Sequence, residues 1–328
     1  MFSGQGSHYY QMGKDLWESH PVFRSEMERG DTIVRSLLGR SVLEEIYRHP
    51  ISAPFDELTM SHPALIMVEN ALFATLASEG IQPDCVWGSS AGEFAAGIAA
   101  GVWSLESALA ASIEQARHVA CSCSPGGMLA VLGPPSLYYS LPLLRSHTTL
   151  AGVNFESHFV VSGLHKELEV VERCLAERGI IHQRLAIQFA FHSEAIDVVS
   201  DSFVRFCEAL PEFKPPQLTF FSGMTAQYLP TIPRSYFWDV VRQPMKFHEG
   251  SMRLEREQSS VFVDCGPAGT LATFLKQTLP SHSRSAYFST MTGFHQCTSN
   301  IRILKKHLAG TAQGPVRLFE NLPAGQAL

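Results

Sequence analysis

The chain has 328 residues, 45% of them hydrophobic and 17% charged, enough for one large or two modest cores. A net charge of -6, a pI near 6.2 and the lack of any long basic run argue against nucleic acid as the main partner. No stretch approaches the ~18 uncharged apolar residues of a membrane span, and the start lacks a basic segment followed by an apolar one, so a cytoplasmic protein is expected.

Met1-Phe2-Ser3-Gly4-Gln5-Gly6-Ser7 opens the chain with a glycine turn and scarcely room for a strand before it. Either the first strand is very short or native residues are missing there. A short helix is predicted from Tyr10 to Ser19. Pro21 suits the first position of a second helix, to about Leu38, because its fixed φ fits and its missing N–H costs nothing there. Ser61, ahead of His62-Pro63, starts a third, with Leu65, Val68, Leu72 and Leu76 on one stripe and Gly80 as its stop. That helix should be buried. Asp84 to Trp87 reads as a strand, Gly88-Ser89-Ser90-Ala91-Gly92-Glu93 as a tight turn, and Phe94 to Ala100 as a helix ended by Gly101. Ser104 caps the next helix, which reaches about Cys121.

From Gly126 the texture changes to short strands at Met128–Leu132, Thr149–Val153 and His158–Ser162, then a helix at Lys166–Arg178 and a strand at Gln183–Ile187. This pattern predicts a small ferredoxin-like α+β insert over residues 125–191, serving as a lid. Residues 1–124 and 192–328 then form a large α/β-hydrolase-like core, so the fold class is α/β. In its second part, Leu218–Ser222 and Val261–Cys265 read as strands, and helices are expected around Trp238 and over Ala268–Leu279. The stretch from Gly310, with Gly314-Pro315 and Pro323-Ala324-Gly325, reads as a surface-hugging or mobile tail.

A Gly-x-Ser-x-Gly turn between strand and helix makes Ser90 the candidate nucleophile, since small neighbours let the backbone fold sharply and project Oγ outward. The bare pattern also fits a plain Gly-Ser turn; its place after Val86-Trp87 and before a helix favours the catalytic reading. The N–H of Ala91 falls at that helix's start, where an unpaired donor can stabilise an oxyanion. A serine hydroxyl needs an adjacent base, and His192 is singled out from 14 histidines by its position directly after the insert.

Gly4-Gln5-Gly6-Ser7, Gly88 to Glu93, Phe189-Ala190-Phe191-His192-Ser193 and Gly266-Pro267-Ala268-Gly269 fall in the order seen in acyl-carrier-protein acyltransferases of fatty-acid and polyketide synthesis. The chain resembles that family, of the malonyl-CoA:ACP transacylase kind, from Phe2 to about His307. It looks closest to the free-standing acyl hydrolases and acyltransferases of trans-acyltransferase polyketide synthases. The resemblance implies an acyl-enzyme on Ser90, His192 as general base, and an oxyanion hole from the N–H groups of Gln5 and Ala91. It also implies a backbone carbonyl orienting the histidine, for which the matching position is Val240.

Three positions depart from the malonyl-transferring pattern. Gln115 stands where those members carry an arginine for the extender carboxylate. Arg117 cannot substitute, because residues two apart on a helix point about 200° apart. Losing such a contact, ~1.5–3 kcal/mol, weakens dicarboxylate selection by roughly ten- to a hundredfold. Ser89 replaces a histidine beside the nucleophile, and Phe189 another before Ala-Phe-His, so the acyl pocket loses polarity. The resemblance therefore favours a hydrolase that clears uncharged, non-malonyl acyl groups from carrier proteins. The alternative is a free-standing acyltransferase loading a monoacyl unit, since thiol and water compete for the same acyl-enzyme. A patatin-like Ser-Asp lipase using Asp264, and a catalytically silent scaffold, leave Gln5 and His192 unexplained.

An acyl carrier protein of a polyketide synthase is the implied partner, docked through basic groups among Arg242, Lys246, Arg302, Lys305 and Lys306. Phosphopantetheine would arrive on that substrate, and no bound cofactor is expected. Seven cysteines without a CxxC pair offer neither a disulfide framework nor a metal finger. No metal and no membrane partner are expected, and the state expected is a monomer.

Overall fold

Left-handed turns, more than helix propensity, set where the N-terminal helices begin. In the computed structural model, which describes residues 1–211 and 213–311, Gln11 and Gly13 have φ of 70° and 72°. A helix from Tyr10 is therefore impossible, and α1 runs only over Lys14–Ser19. Pro21 opens α2 (Pro21–Leu38), which Gly39 closes at φ 69°; α3 (Val42–Arg48), capped by Ser41, was not anticipated. Helix α4 (Leu58–Ser78) starts three residues ahead of Ser61 and carries Pro63 inside it. Its missing N–H removes one bond, to the carbonyl of Thr59, and burial on every side outweighs that loss.

β1 (Cys85–Trp87) leads through the nucleophile turn into α5 (Gly92–Ala99), and Ser104 caps α6 (Leu105–Ser122). Then come β2 (Gly126–Leu132), α7 (Ser136–Ser140), α8 (Pro142–His147), β3 (Thr149–Phe155), β4 (His158–Leu164), α9 (His165–Glu177) and β5 (His182–Arg184). A 3-10 turn (Glu194–Val199) is followed by α10 (Ser200–Ala209), β6 (Thr219–Ser222), β7 (Gln227–Tyr228), α11 (Tyr236–Arg242) and α12 (Phe247–Glu257). The chain continues through β8 (Val261–Asp264), α13 (Thr270–Thr278), β9 (Ala286–Ser289) and α14 (Cys297–Thr311). The tail expected from Gly310 thus begins inside α14, and its remainder, with Gly314-Pro315 and Pro323-Ala324-Gly325, lies outside the described residues.

Two parallel pairs, β1 with β6 and β8 with β9, lie either side of Met1-Phe2. Phe2 N–H donates to Trp87 O and Ser89 N–H to Phe2 O, both at 2.9 Å, while Cys265 N–H donates to Met1 O at 2.8 Å. Two residues of extended chain thereby bridge the two halves. Beside them, β2–β5 form a separate antiparallel sheet in the order β3-β4-β2-β5, the ferredoxin-like arrangement. It has its own core of Leu129, Val131, Phe159, Val161, Leu168, Val171 and Leu175, with α8 and α9 packed beside it. β5 stops at Arg184, short of the Ile187 expected, and the segment beyond it turns toward the cleft. Among the described residues no helix is long and apolar enough to cross a membrane.

Candidate active site

Three glycines fix the nucleophile turn by close approach. A Cβ on Gly92 would lie 2.2 Å from the Phe2 carbonyl oxygen, one on Gly88 would lie 2.5 Å from Glu93 N, and one on Gly4 2.7 Å from Ser89 O. No side chain fits such gaps, so the turn packs directly on Phe2-Ser3-Gly4. Ser90 sits at its apex with φ 54°, a strained value for a residue with a Cβ. Its Oγ lies 2.8 Å from His192 Nε2.

His192 also has a positive φ, 62°, and its own N–H donates to Val241 O at 2.8 Å. Its Nδ1 lies 2.7 Å from the carbonyl oxygen of Gln243. A carbonyl can only accept, so Nδ1 carries the proton and Nε2 offers its lone pair to the Ser90 hydroxyl. Val240 is therefore not the orienting residue: it is buried within α11, and the acceptor is three residues later, where the helix has ended and its carbonyls turn free. Burial lowers the His192 pKa from 6.5 to about 4, the Gln243 carbonyl raises it in part, and the Arg242 charge lowers it further. The imidazole is thus neutral, as a base must be.

The first and fourth motifs brace this turn. Ser3 N–H and Oγ donate to Glu69 Oε1 at 2.6 and 2.9 Å, and Ser3 Oγ lies 2.7 Å from Ser7 Oγ. Burial raises the Glu69 pKa well above the usual carboxylate range. A Cβ on Gly266 would lie 2.2 Å from Ser3 Oγ, so Gly266-Pro267 sits against the Gly-Gln-Gly loop, and Tyr9 OH donates to Pro267 O at 2.8 Å. Asp264 is buried and accepts from Gly266 and Ala272 N–H, which makes it a structural anchor. Glu93 accepts from Gly223 N–H at 2.6 Å, and burial lifts its pKa to about 8. Among the described residues, the N–H groups of Gln5 and Ala91 have no acceptor, and both residues line the cleft in front of Ser90.

That cleft, about 140 Å³, is walled by Met128, Ala130 and Val160 from the antiparallel sheet, by Leu185 and Ile187 from the segment that follows β5, and by Val241, Met245, Leu271 and Phe274 from the rest of the chain. Gln115 lines it and is fully buried, and Ser89 lines it with Oγ 3.6 Å from Met245 Sδ. Phe189 does not: it packs half-buried against the main core, and Phe191, two residues on, takes the wall. In a regular strand residues two apart would share a face; here a tight turn, in which Phe191 N–H donates to Phe189 O at 3.0 Å, breaks the extended run and the two rings part. Arg117 faces outward, with Nη2 donating to Leu37 O at 2.9 Å and Nη1 3.5 Å from Glu114. No Lys or Arg lines the cleft among the described residues.

Sequence reasoning missed four contributors. Gln243 acts through its carbonyl, which every residue has, so no signal existed. Asn154 and His158, 3.1 Å apart through Nδ2 and Nδ1, and His62 on α4 all line the cleft. His62 had a faint signal, a ring able to hydrogen-bond near the start of a helix whose apolar stripe predicts burial. Among the described residues no three His, Cys, Asp or Glu gather as a metal site would require. Of the docking candidates, Arg242 pairs with Asp197, Lys246 with Glu249 at 3.6 Å, and Lys305 with Glu79 at 2.5 Å, while Arg302 and Lys306 are exposed.

Residues 1–310 match the model of the family described as acyl transferase domain. The chain is 43% identical over 298 residues to the polyketide biosynthesis acyltransferase homolog BaeD of Bacillus velezensis, covering 90% of this chain and 92% of that one. It is 40% identical over 308 residues to the polyketide biosynthesis acyltransferase homolog PksD of Bacillus subtilis, covering 93% and 94%. The structure superposes on the acyltransferase domain from the second module of the salinomycin polyketide synthase with a TM-score of 0.82, at 27% identity, covering 92% of this chain and 70% of that one.

Proposed function

The chain belongs to the acyl transferase domain family, and within it we propose a hydrolase that removes uncharged, non-malonyl acyl groups from the phosphopantetheine arm of acyl carrier proteins in polyketide biosynthesis. The observation that carries this reading is the neutral His192 held between Ser90 Oγ and the Gln243 carbonyl, at the edge of a cleft that no Lys or Arg lines among the described residues. The two Bacillus relatives, by their names, support the polyketide setting. The seven free thiols support a reducing, cytoplasmic one.

In the proposed cycle, His192 Nε2 takes the Ser90 proton as Oγ attacks the thioester carbonyl. The tetrahedral oxyanion is held by the N–H groups of Gln5 and Ala91, each donor worth up to ~3–4 kcal/mol in such sites. Collapse breaks the C–S bond, the imidazolium gives its proton to the leaving sulfur, and the acyl group stays on Ser90 as an ester. Water then attacks that ester with His192 again accepting a proton. The acid leaves and Ser90 regains its hydrogen.

A carboxylate on the acyl group would find no arginine or lysine in the cleft among the described residues, which supports monoacyl rather than dicarboxylate substrates. The relatives' names favour a second outcome, transfer of the acyl group to another carrier's thiol. Intact-mass analysis of an acyl-carrier donor, incubated with and without an unacylated acceptor carrier, separates the two. Hydrolysis yields free acid and a deacylated donor with little acceptor loading, whereas an acylated acceptor mass would overturn the hydrolase reading in favour of transfer.

A further inference from the structure

Two residues lining the cleft carry buried polar atoms that have no partner among the described residues. Among the described residues, neither ring nitrogen of His62 nor Gln115 Oε1 has a hydrogen-bond partner, although the two residues are 1% and 0% exposed. Gln115 Nε2 reaches only the Phe237 carbonyl, at 3.5 Å, the outer limit of a hydrogen bond. The residues stand on α4 and α6, which pack along one another, and both line the cleft that contains Ser90. Phe94 meets the His62 ring edge-on at 5.3 Å and is itself packed, tilted, on Phe237 at 5.0 Å, an apolar backing behind the imidazole.

Each such buried, unpaired group is destabilising, and an apolar side chain of similar size would avoid that cost. Three of them on two residues that line a single cleft point to a ligand that satisfies them. The charge of the pair is equally informative. Burial, with the His8 ring nearby, lowers the His62 pKa to about 3, so His62 is neutral with one N–H donor and one acceptor nitrogen. Gln115 is neutral at any pH.

We propose that His62 and Gln115 form an uncharged hydrogen-bonding subsite that selects short acyl groups bearing a hydroxyl or keto oxygen over the plain alkyl chain of equal length. This rests on the reading of Ser90 as the acyl-carrying residue. A hydroxyl donates to Gln115 Oε1 or to the bare His62 nitrogen and accepts from the His62 N–H; a keto oxygen accepts alone. An alkyl chain leaves all three atoms unpaired, and a carboxylate meets no opposing charge. The cleft's 140 Å³ is small beside the roughly 300–1,000 Å³ of common ligand pockets, which restricts the chain length. Sites built around a substrate hydroxyl reject the analogue lacking it far better than apolar pockets discriminate a methylene.

The test is calorimetric binding of butyryl-, 2-hydroxybutyryl-, 3-hydroxybutyryl- and 3-oxobutyryl-pantetheine to the Ser90→Ala protein, beside turnover of the same thioesters by the wild type. At least one oxygenated chain should bind ~10-fold or more tighter than butyryl. The preference should shrink to about twofold or less when His62→Leu and Gln115→Leu are added, with a thermal melt to verify folding; His62→Met alone serves if the double substitution unfolds the protein. Equal binding of all four thioesters, or a preference that survives these substitutions, overturns the subsite. Binding preference without wild-type turnover would retain the subsite and sink the hydrolase reading, whereas turnover without preference would do the reverse.

Discussion

At the nucleophile turn the positioning is done by main chain, whereas at the far wall of the cleft it is done by side chains. Gly4, Gly88 and Gly92 let backbone touch backbone, the Gln243 carbonyl orients His192, and the N–H groups of Gln5 and Ala91, without an acceptor among the described residues, belong to residues lining the cleft. The wall instead draws Gln115, His62, Met128, Val160 and Phe274 from five separate elements. The difference teaches that chemistry and selectivity are separable here. Geometry carried by backbone tolerates exchange of most side chains and forbids a Cβ at three places. A wall of side chains is retuned one residue at a time.

The sharpest way to break the comparison is Ser90→Ala, the one side chain at the turn that no backbone group can replace; thioester turnover should fall by about 10⁴-fold or more in a stopped-time mass assay. Gly92→Ala should come next, because its Cβ would lie 2.2 Å from the Phe2 carbonyl: a stability loss of ~3 kcal/mol in urea unfolding, with turnover reduced in parallel. A near-native melt would show that the two backbones can part freely. A smaller effect is expected from pH. The His192 pKa is lowered to about 4, so the imidazole stays deprotonated and active down to that region and is lost only as pH falls through it. Between pH 7.5 and 5.5 kcat/KM should stay nearly flat, whereas an ordinary imidazole would leave about a tenth of the activity at pH 5.5. Smallest of all should be Gln243→Ala, less than about threefold in kcat/KM, since the carbonyl survives the substitution. A hundredfold loss would place the orienting role in the amide side chain.

Much of the fold was readable because local signals act over few residues. Pro21 and Gly39 bound α2, Ser104 caps α6, and the switch to short strands after Gly126 marks the antiparallel sheet. The readings that failed did so where a distant contact overruled a local preference. Ser61 is a good cap by itself, yet α4 starts at Leu58 because its whole circumference is buried. Phe189 and Phe191 look equivalent in sequence, and only the packing of this segment decides which ring reaches the cleft.

The sequence by itself determined the family, the strand–turn–helix around Ser90 and the choice of His192 as its candidate base, because each is written in glycine spacing, apolar periodicity or an ordered set of motifs. Tertiary structure alone decided that Gln243 rather than Val240 orients His192, and that Gln115 and His62, from α6 and α4, both line the cleft that contains Ser90. A carbonyl has no residue identity, and whether a buried polar atom finds a partner depends on neighbours from other elements, so neither is encoded locally.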